Sequence, residues 1–392
     1  MHGHITPSLG VVAQLVERGH RVTYVTTDHF ERAVAATGAE VLRYRSSWPT
    51  AITMAETDDG SSLLGLLNEC VAVVDAAKAH FGDSRPDVVL YDMTATFAGR
   101  VLSRSWRLPA VQLLPNFASN EHFSLNDEIG RRTLARMTEP PDPDPAVFAE
   151  FGTRLGEFVA ANGLDPAHTG ELLQAPEKQS LVFVPRDFQY RGDTFGGDHT
   201  FVGPVLTDRA VQGGWRPPGD QPVLLVSLGS LNYAGQRDFF RTCVRAYAGL
   251  DWHVVVSTGP EVDPAELGSL PPNVEAHRQV PQLAILRHAG LFVTHAGMGG
   301  TMEALANGVP LLAVPQLPEQ EVIAERVAEL GLGRVITSGI EVDRLREITE
   351  EVVSSEAVRR ATGRMRDLIA GLDGARRAAD AVEAHLRSET LV

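Results

Sequence analysis

Short apolar runs without alternation recur along the chain, each followed by a stretch with helical spacing. Residues 22–27, 88–91, 110–114, 181–184 and 200–205 read this way in the first half, and 223–227, 253–257, 291–294 and 311–314 in the second. Such runs suit strands buried on both faces of a parallel sheet. Residues 29–37, 63–80, 94–106, 146–161, 166–174 and 374–386 carry the spacing of packed helices. The alternation predicts an α/β fold built from doubly wound parallel sheets.

A chain of 392 residues is too long for one ordinary core and suits two such lobes. Residues 207–222 are rich in glycine, proline and polar side chains, which marks an interdomain linker. The expected division is 1–206 for the first lobe, 207–222 for the linker, 223–373 for the second lobe and 374–392 for a closing helix. At the start, Thr6 followed by Pro7 predicts a helix beginning there, with residues 2–5 as a loop feeding it. In a βαβ unit that loop follows a strand. None is encoded before it here, so the first strand of the first lobe is expected to be absent.

A net charge of −15 argues against a nucleic-acid partner. Cys70 and Cys243, both in apolar helical patterns, read as reduced core thiols. With neither a membrane-spanning apolar run nor a leader pattern, the expected setting is the cytoplasm.

The densest chemistry lies between Gln279 and Gln320. After the strand at 291–294 come His295, Ala296, Gly297, Met298, Gly299, Gly300 and Thr301, then a helical pattern that stops at Gly308. Strand, glycine turn and helix start together present free N–H groups and the positive end of a helix dipole to an anion. Glu303 follows one helical turn later, and Pro318-Glu319-Gln320 opens the next helix.

This run resembles the donor-binding signature of family 1 nucleotide-sugar glycosyltransferases, which have the GT-B fold of two Rossmann-like lobes facing across a cleft. Within that family the likeness is to bacterial macrolide and natural-product enzymes, and it spans nearly the whole chain. The resemblance implies that Ser230 and His295 contact the diphosphate, helped by the N–H groups of Gly297, Gly299, Gly300 and Thr301, and that Glu303 holds the ribose. Gln282 and the Val280 backbone would serve the nucleoside. Gln279 stands where the family usually has a tryptophan, leaving uracil or thymine open. Glu319-Gln320 replaces an aspartate-glutamine pair, leaving the sugar open.

The family's catalytic base lies in a Gly-His-x-x-Pro pattern, matched by Gly3-His4-Ile5-Thr6-Pro7, with Asp92 as its partner carboxylate. Histidine suits a base that must take a hydroxyl proton near neutral pH. Trp48, Met93, Phe117 and Phe123 are the expected acceptor-cleft residues. The remaining histidines show no metal-ligand spacing, and no Asp-x-Asp stands where it could hold a diphosphate. The expectation is therefore metal-independent, inverting transfer of a hexose from a UDP- or TDP-sugar to a hydrophobic small molecule, with no other cofactor. A binding-only relative and a sugar-nucleotide epimerase remain alternatives, and monomer or homodimer is left open.

Overall fold

The computed structural model describes residues 2–47, 61–137, 144–206, 214–229 and 233–390. The first lobe runs α1 (His2–Glu17), β1 (Thr23–Thr26), α2 (Glu31–Ala35), β2 (Glu40–Arg43), α3 (Ser61–Phe81), β3 (Val89–Asp92), α4 (Thr96–Trp106), β4 (Ala110–Leu114), α5 (Leu125–Arg136), α6 (Pro145–Ala161), α7 (Thr169–Gln174), β5 (Ser180–Val182) and β6 (His199–Phe201). Its strands form two parallel sheets, β1-β2 and β3-β4-β5-β6, and β1 does not pair with β3. Helix α1 bridges them: Val11 and Leu15 pack with Val111, Leu113 and Leu181, while Val12 packs with Val34.

The second lobe continues with β7 (Val223–Ser227), α8 (Gln236–Tyr247), β8 (His253–Ser257), β9 (Val274–His277), α9 (Gln282–Leu286), β10 (Ala289–Thr294), α10 (Met298–Ala306), β11 (Leu311–Ala313), α11 (Pro318–Glu329), β12 (Gly333–Val335), α12 (Val342–Ser354), α13 (Glu356–Ala370) and α14 (Gly374–Thr390). Its six strands lie in the order β12-β11-β10-β7-β8-β9. The order reverses between β7 and β10, the point at which doubly wound sheets place ligands. All five residues of β7 are buried, as the unbroken apolar run required. Helix α14 returns to the first lobe: Ala378, Ala379 and Val382 join the core of α1 and β4, and Arg18 pairs with Asp380.

Two expectations change. Helix α1 starts at His2, so residues 2–5 are helical and Pro7 lies inside the helix. Proline here removes only the bond to the carbonyl of exposed Gly3, at the helix's open end, where solvent replaces it. The strand β2 was also missed. It is four residues long with exposed polar ends, Glu40 and Arg43, and its two apolar positions are too few to set a period.

Candidate active site

The end of β3 and the first turn of α1 bring two side chains together. His4 Nδ1 lies 2.9 Å from Asp92 Oδ1 and 3.2 Å from Oδ2. Asp92 is also fixed by its own loop, because Oδ1 accepts from the Thr94 N–H at 2.8 Å and the Thr94 hydroxyl at 2.6 Å. A carboxylate on Nδ1 makes that nitrogen the donor and leaves Nε2 with its lone pair. Burial works against the charged imidazole, but the Asp92 hydrogen bond, the Asp92 charge and the Glu319 charge outweigh it and raise the His4 pKa above 6.5. The pair can therefore take a proton at Nε2 and stabilise the imidazolium that forms.

The switch point of the second sheet carries the other half of the site. Ala296, fully buried, has a left-handed backbone at φ +62°, which turns the chain from β10 into α10. That turn presses the His295 ring between two glycines: a Cβ on Gly229 would lie 2.7 Å from His295 Cε1, and one on Gly297 would lie 2.5 Å from Nε2. Burial lowers the His295 pKa to about 4, so the ring is neutral near pH 7. Its Nδ1 is buried with no hydrogen bond of good geometry, and the nearby Ser227 backbone only partly offsets the effect of burial.

The N–H of Thr301 already donates to Gly297 O at 3.0 Å. The N–H groups ahead of it in the first turn of α10 are those of Met298, Gly299 and Gly300, so the Thr301 N–H is not available for the contact expected of it. Thr301 is fully buried, and its hydroxyl has no partner.

Glu303 is 7 % exposed, and its Oε2 accepts from Gln282 Nε2 at 2.7 Å, which joins two of the expected donor-site residues. Val280 is buried in the apolar cluster, its carbonyl accepts from the Gln282 N–H at 2.8 Å, and Gln279 beside it is exposed. The Gln320 side chain is already committed. It accepts from the Gln316 and Leu317 N–H groups and donates to the Tyr233 hydroxyl at 2.9 Å. Glu319 instead faces the other lobe, where Asn116 Nδ2 donates to Oε1 at 2.5 Å. Ser230 and Trp48 lie outside the described residues.

Of the expected acceptor residues, Met93 and Phe123 are half-buried against the apolar cluster. Phe117 is 1 % exposed and is a core residue, stacked on Phe188 with ring centres 5.6 Å apart. The loop after β4 folds inward because Ala118 exchanges two backbone bonds with the Gln189 amide, which seals Phe117 beneath it. Asn116 and Tyr233 escaped the sequence reading. A polar residue just past the C-terminal end of a parallel strand was the available signal for Asn116, whereas nothing local marked Tyr233.

Known proteins resemble this chain along its length. Residues 241–373 match the family described as erythromycin biosynthesis protein CIII-like, C-terminal domain. The oleandomycin glycosyltransferase of Streptomyces antibioticus is 41% identical, covering 98% of this chain and 89% of its own length. An NDP-glycosyltransferase of Bacillus licheniformis is 37% identical over 98% of this chain and 95% of its own. The crystal structure of a calicheamicin glycosyltransferase superposes with a TM-score of 0.83 at 42% identity, covering 99% of this chain and 96% of that one. With relatives this similar along its whole length, the chain belongs to the macrolide and natural-product glycosyltransferases of family 1, nucleotide-sugar enzymes of the GT-B fold.

Proposed function

We propose that this enzyme transfers a hexose from a UDP- or TDP-sugar to a hydroxyl of a hydrophobic small molecule, a macrolide, polyketide or phenolic, with inversion at the anomeric carbon. The observation that carries the reading is the bond of 2.9 Å between His4 Nδ1 and Asp92, with Nε2 left to accept a proton. In this scheme His4 Nε2 takes the acceptor proton as the hydroxyl oxygen attacks the anomeric carbon. The bond from that carbon to the diphosphate oxygen breaks, and the nucleoside diphosphate leaves with the electron pair. Attack opposite the leaving group turns an α-linked donor into a β-linked product.

The charge that develops on the diphosphate meets the Met298, Gly299 and Gly300 N–H groups and the neutral His295 ring, without a metal ion. In this reading Glu303 and Gln282, joined by their own hydrogen bond, receive the ribose and nucleoside, and Glu319 receives the sugar hydroxyls. Nucleotide sugars and reduced thiols, here Cys70 and Cys243, belong together in the cytoplasm. The test is mass-spectrometric detection of transfer from UDP-glucose and TDP-glucose to a panel of macrolides and phenols, beside a His4→Ala variant. Transfer by the native chain, reduced about 10²–10⁴-fold in the variant, supports the reading. Transfer that survives the substitution, or sugar conversion without an acceptor, overturns it.

A further inference from the structure

Among the described residues, the two halves of the site meet at a hydrogen bond from Asn116 of the first lobe to Glu319 of the second. Three features make it more than an incidental surface bond. Asn116 is 5 % exposed, and its Oδ1 is held by the Phe117 N–H at 2.7 Å, so the amide cannot rotate and Nδ2 must point across the cleft. Glu319 sits in the first turn of α11, right after Pro318, on a backbone fixed by Gln320, which ties α11 to residues 316 and 317. The helix is also gripped from the first lobe farther along, where Arg132 pairs with Glu325, and Arg136 pairs with Glu321 and donates to the Gln316 carbonyl. Glu319 therefore has one narrow range of positions, and its nearest fixed donor is Asn116.

We propose that Asn116 is a positioning residue that couples the half-sites, holding the Glu319 carboxylate where it both receives the donor sugar and adds a second negative charge facing His4. The proposal rests on the glycosyl-transfer reading for its functional meaning, but its physical content is independent of turnover. The charges acting on His4 are those of Asp92 from β3 and Glu319 from α11, which favour the imidazolium, and that of the chain's amino terminus, which opposes it. Tyr24 from β1 hydrogen-bonds Ser8 at 2.7 Å; burial raises its pKa, so it stays neutral in the working range. Glu319 thus supplies the only charge on His4 from the second lobe among the described residues. Burial raises the Glu319 pKa, opposed by His4 and by the Asn116 bond. Losing that bond removes one of the two influences that keep it ionised. The arrangement ties proton affinity at the base to closure of the lobes: when they part, Glu319 leaves and His4 becomes a weaker base.

The test follows the His4 ring protons by NMR through a pH titration of the full chain, in the native protein and in Asn116→Ser, Glu319→Gln and the double variant. Serine keeps an oxygen for the Phe117 N–H but is too short to reach Glu319, and glutamine keeps the acceptor oxygen but loses the charge. Both single variants are expected to lower the His4 midpoint, by about one unit for Glu319→Gln. The double variant should go no lower than Glu319→Gln alone, because Asn116 acts only through Glu319. The acid limb of kcat/KM for the acceptor should move down in pH by matching amounts. An unchanged midpoint in Asn116→Ser beside a lowered one in Glu319→Gln removes Asn116 from the device, and no change in either overturns it entirely. A native chain that transfers no sugar sinks the functional reading instead, and the titration still decides the coupling.

Discussion

The His295 imidazole rests against the α-carbon of Gly229, at the point where a side chain would begin. A methyl group there would come within 2.7 Å of Cε1 and 2.9 Å of Nε2, and the backbone is left-handed at φ +81°. Two penalties therefore fall on Gly229→Ala, a conformational one of about 1–2 kcal/mol and a steric one that displaces the ring. Nucleotide affinity should fall at least tenfold, read as the UDP dissociation constant by calorimetry. Adding His295→Ala should recover the steric part of the lost stability but none of the affinity. Strictly additive stability losses in the double variant would show that the two residues do not press on each other.

Arg326 is the second prediction. From α11 it donates Nε to the Phe188 carbonyl at 2.9 Å and Nη2 to the Asp187 and Gln189 carbonyls at 3.1 Å each. Its guanidinium also lies over the Tyr190 ring, 4.8 Å from the centre, and the Tyr190 hydroxyl donates back to the Val322 carbonyl. Arg326→Ala leaves three first-lobe carbonyls without their donor, so the denaturation midpoint should fall by the equivalent of about 2–4 kcal/mol. Arg326→Lys should recover little, because a point charge cannot serve three acceptors in a plane. A lysine variant as stable as the native protein would show that charge alone suffices.

Much of this was legible in the chain, and the reasons differ by element. β7 and β10 announced themselves because strands buried on both faces carry runs of apolar residues, here broken only at their ends by Ser227 and Thr294. His295 and Glu303 could be singled out because they lie within a few residues of the glycine turn, and Gln282 because its Val-Pro-Gln segment resembles the family's. The Gly-His-x-x-Pro pattern singles out His4, but its helix starts earlier than Thr6-Pro7 predicts, since sequence shows a proline's local cost and not how the open end of a helix is satisfied. Phe117 reads as a loop aromatic, and the Gln189 amide that holds Ala118 over it lies 71 residues from Ala118 in sequence. Asn116 and Glu319 are 203 residues apart, and no local pattern encodes a contact between lobes.

Asp92→Asn tests the base. Asparagine keeps the size but removes the charge and exchanges one carboxylate oxygen for an NH2 donor; with its remaining oxygen claimed by Thr94, it turns that donor toward His4 Nδ1 and disfavours the tautomer with a free Nε2. Activity should drop about 10²–10⁴-fold. Because the Asp92 hydrogen bond and charge help raise the His4 pKa, whatever acid limb remains in kcat/KM should move to lower pH. The stability linkage has the same origin. A histidine whose folded pKa exceeds 6.5 contributes stability that is fully present below 6.5 and is lost as pH rises through the folded value. Native and variant proteins should therefore differ in stability more at pH 5 than at pH 8 by urea unfolding, and an equal difference at both would exclude the ion pair.

His295 should behave in the opposite sense. Burial holds its folded pKa at about 4, whereas the unfolded ring titrates near 6.5, so the unfolded chain binds a proton that the folded chain refuses between those values. Stability at this site is complete above pH 6.5 and falls as the pH drops toward 4, by up to about 3 kcal/mol if the whole shift is expressed. In an NMR titration the His295 ring signals should stay fixed down to about pH 5, while those of His4 have already moved above pH 6.5. UDP places negative charge beside the ring, which favours its protonated form. Saturating UDP should therefore raise the His295 midpoint and flatten the acid side of the stability curve, and His295→Asn should lose both effects. A ring that titrates normally near 6.5 without UDP would mean that the turn is open to water, and would remove His295 as a neutral donor to the diphosphate.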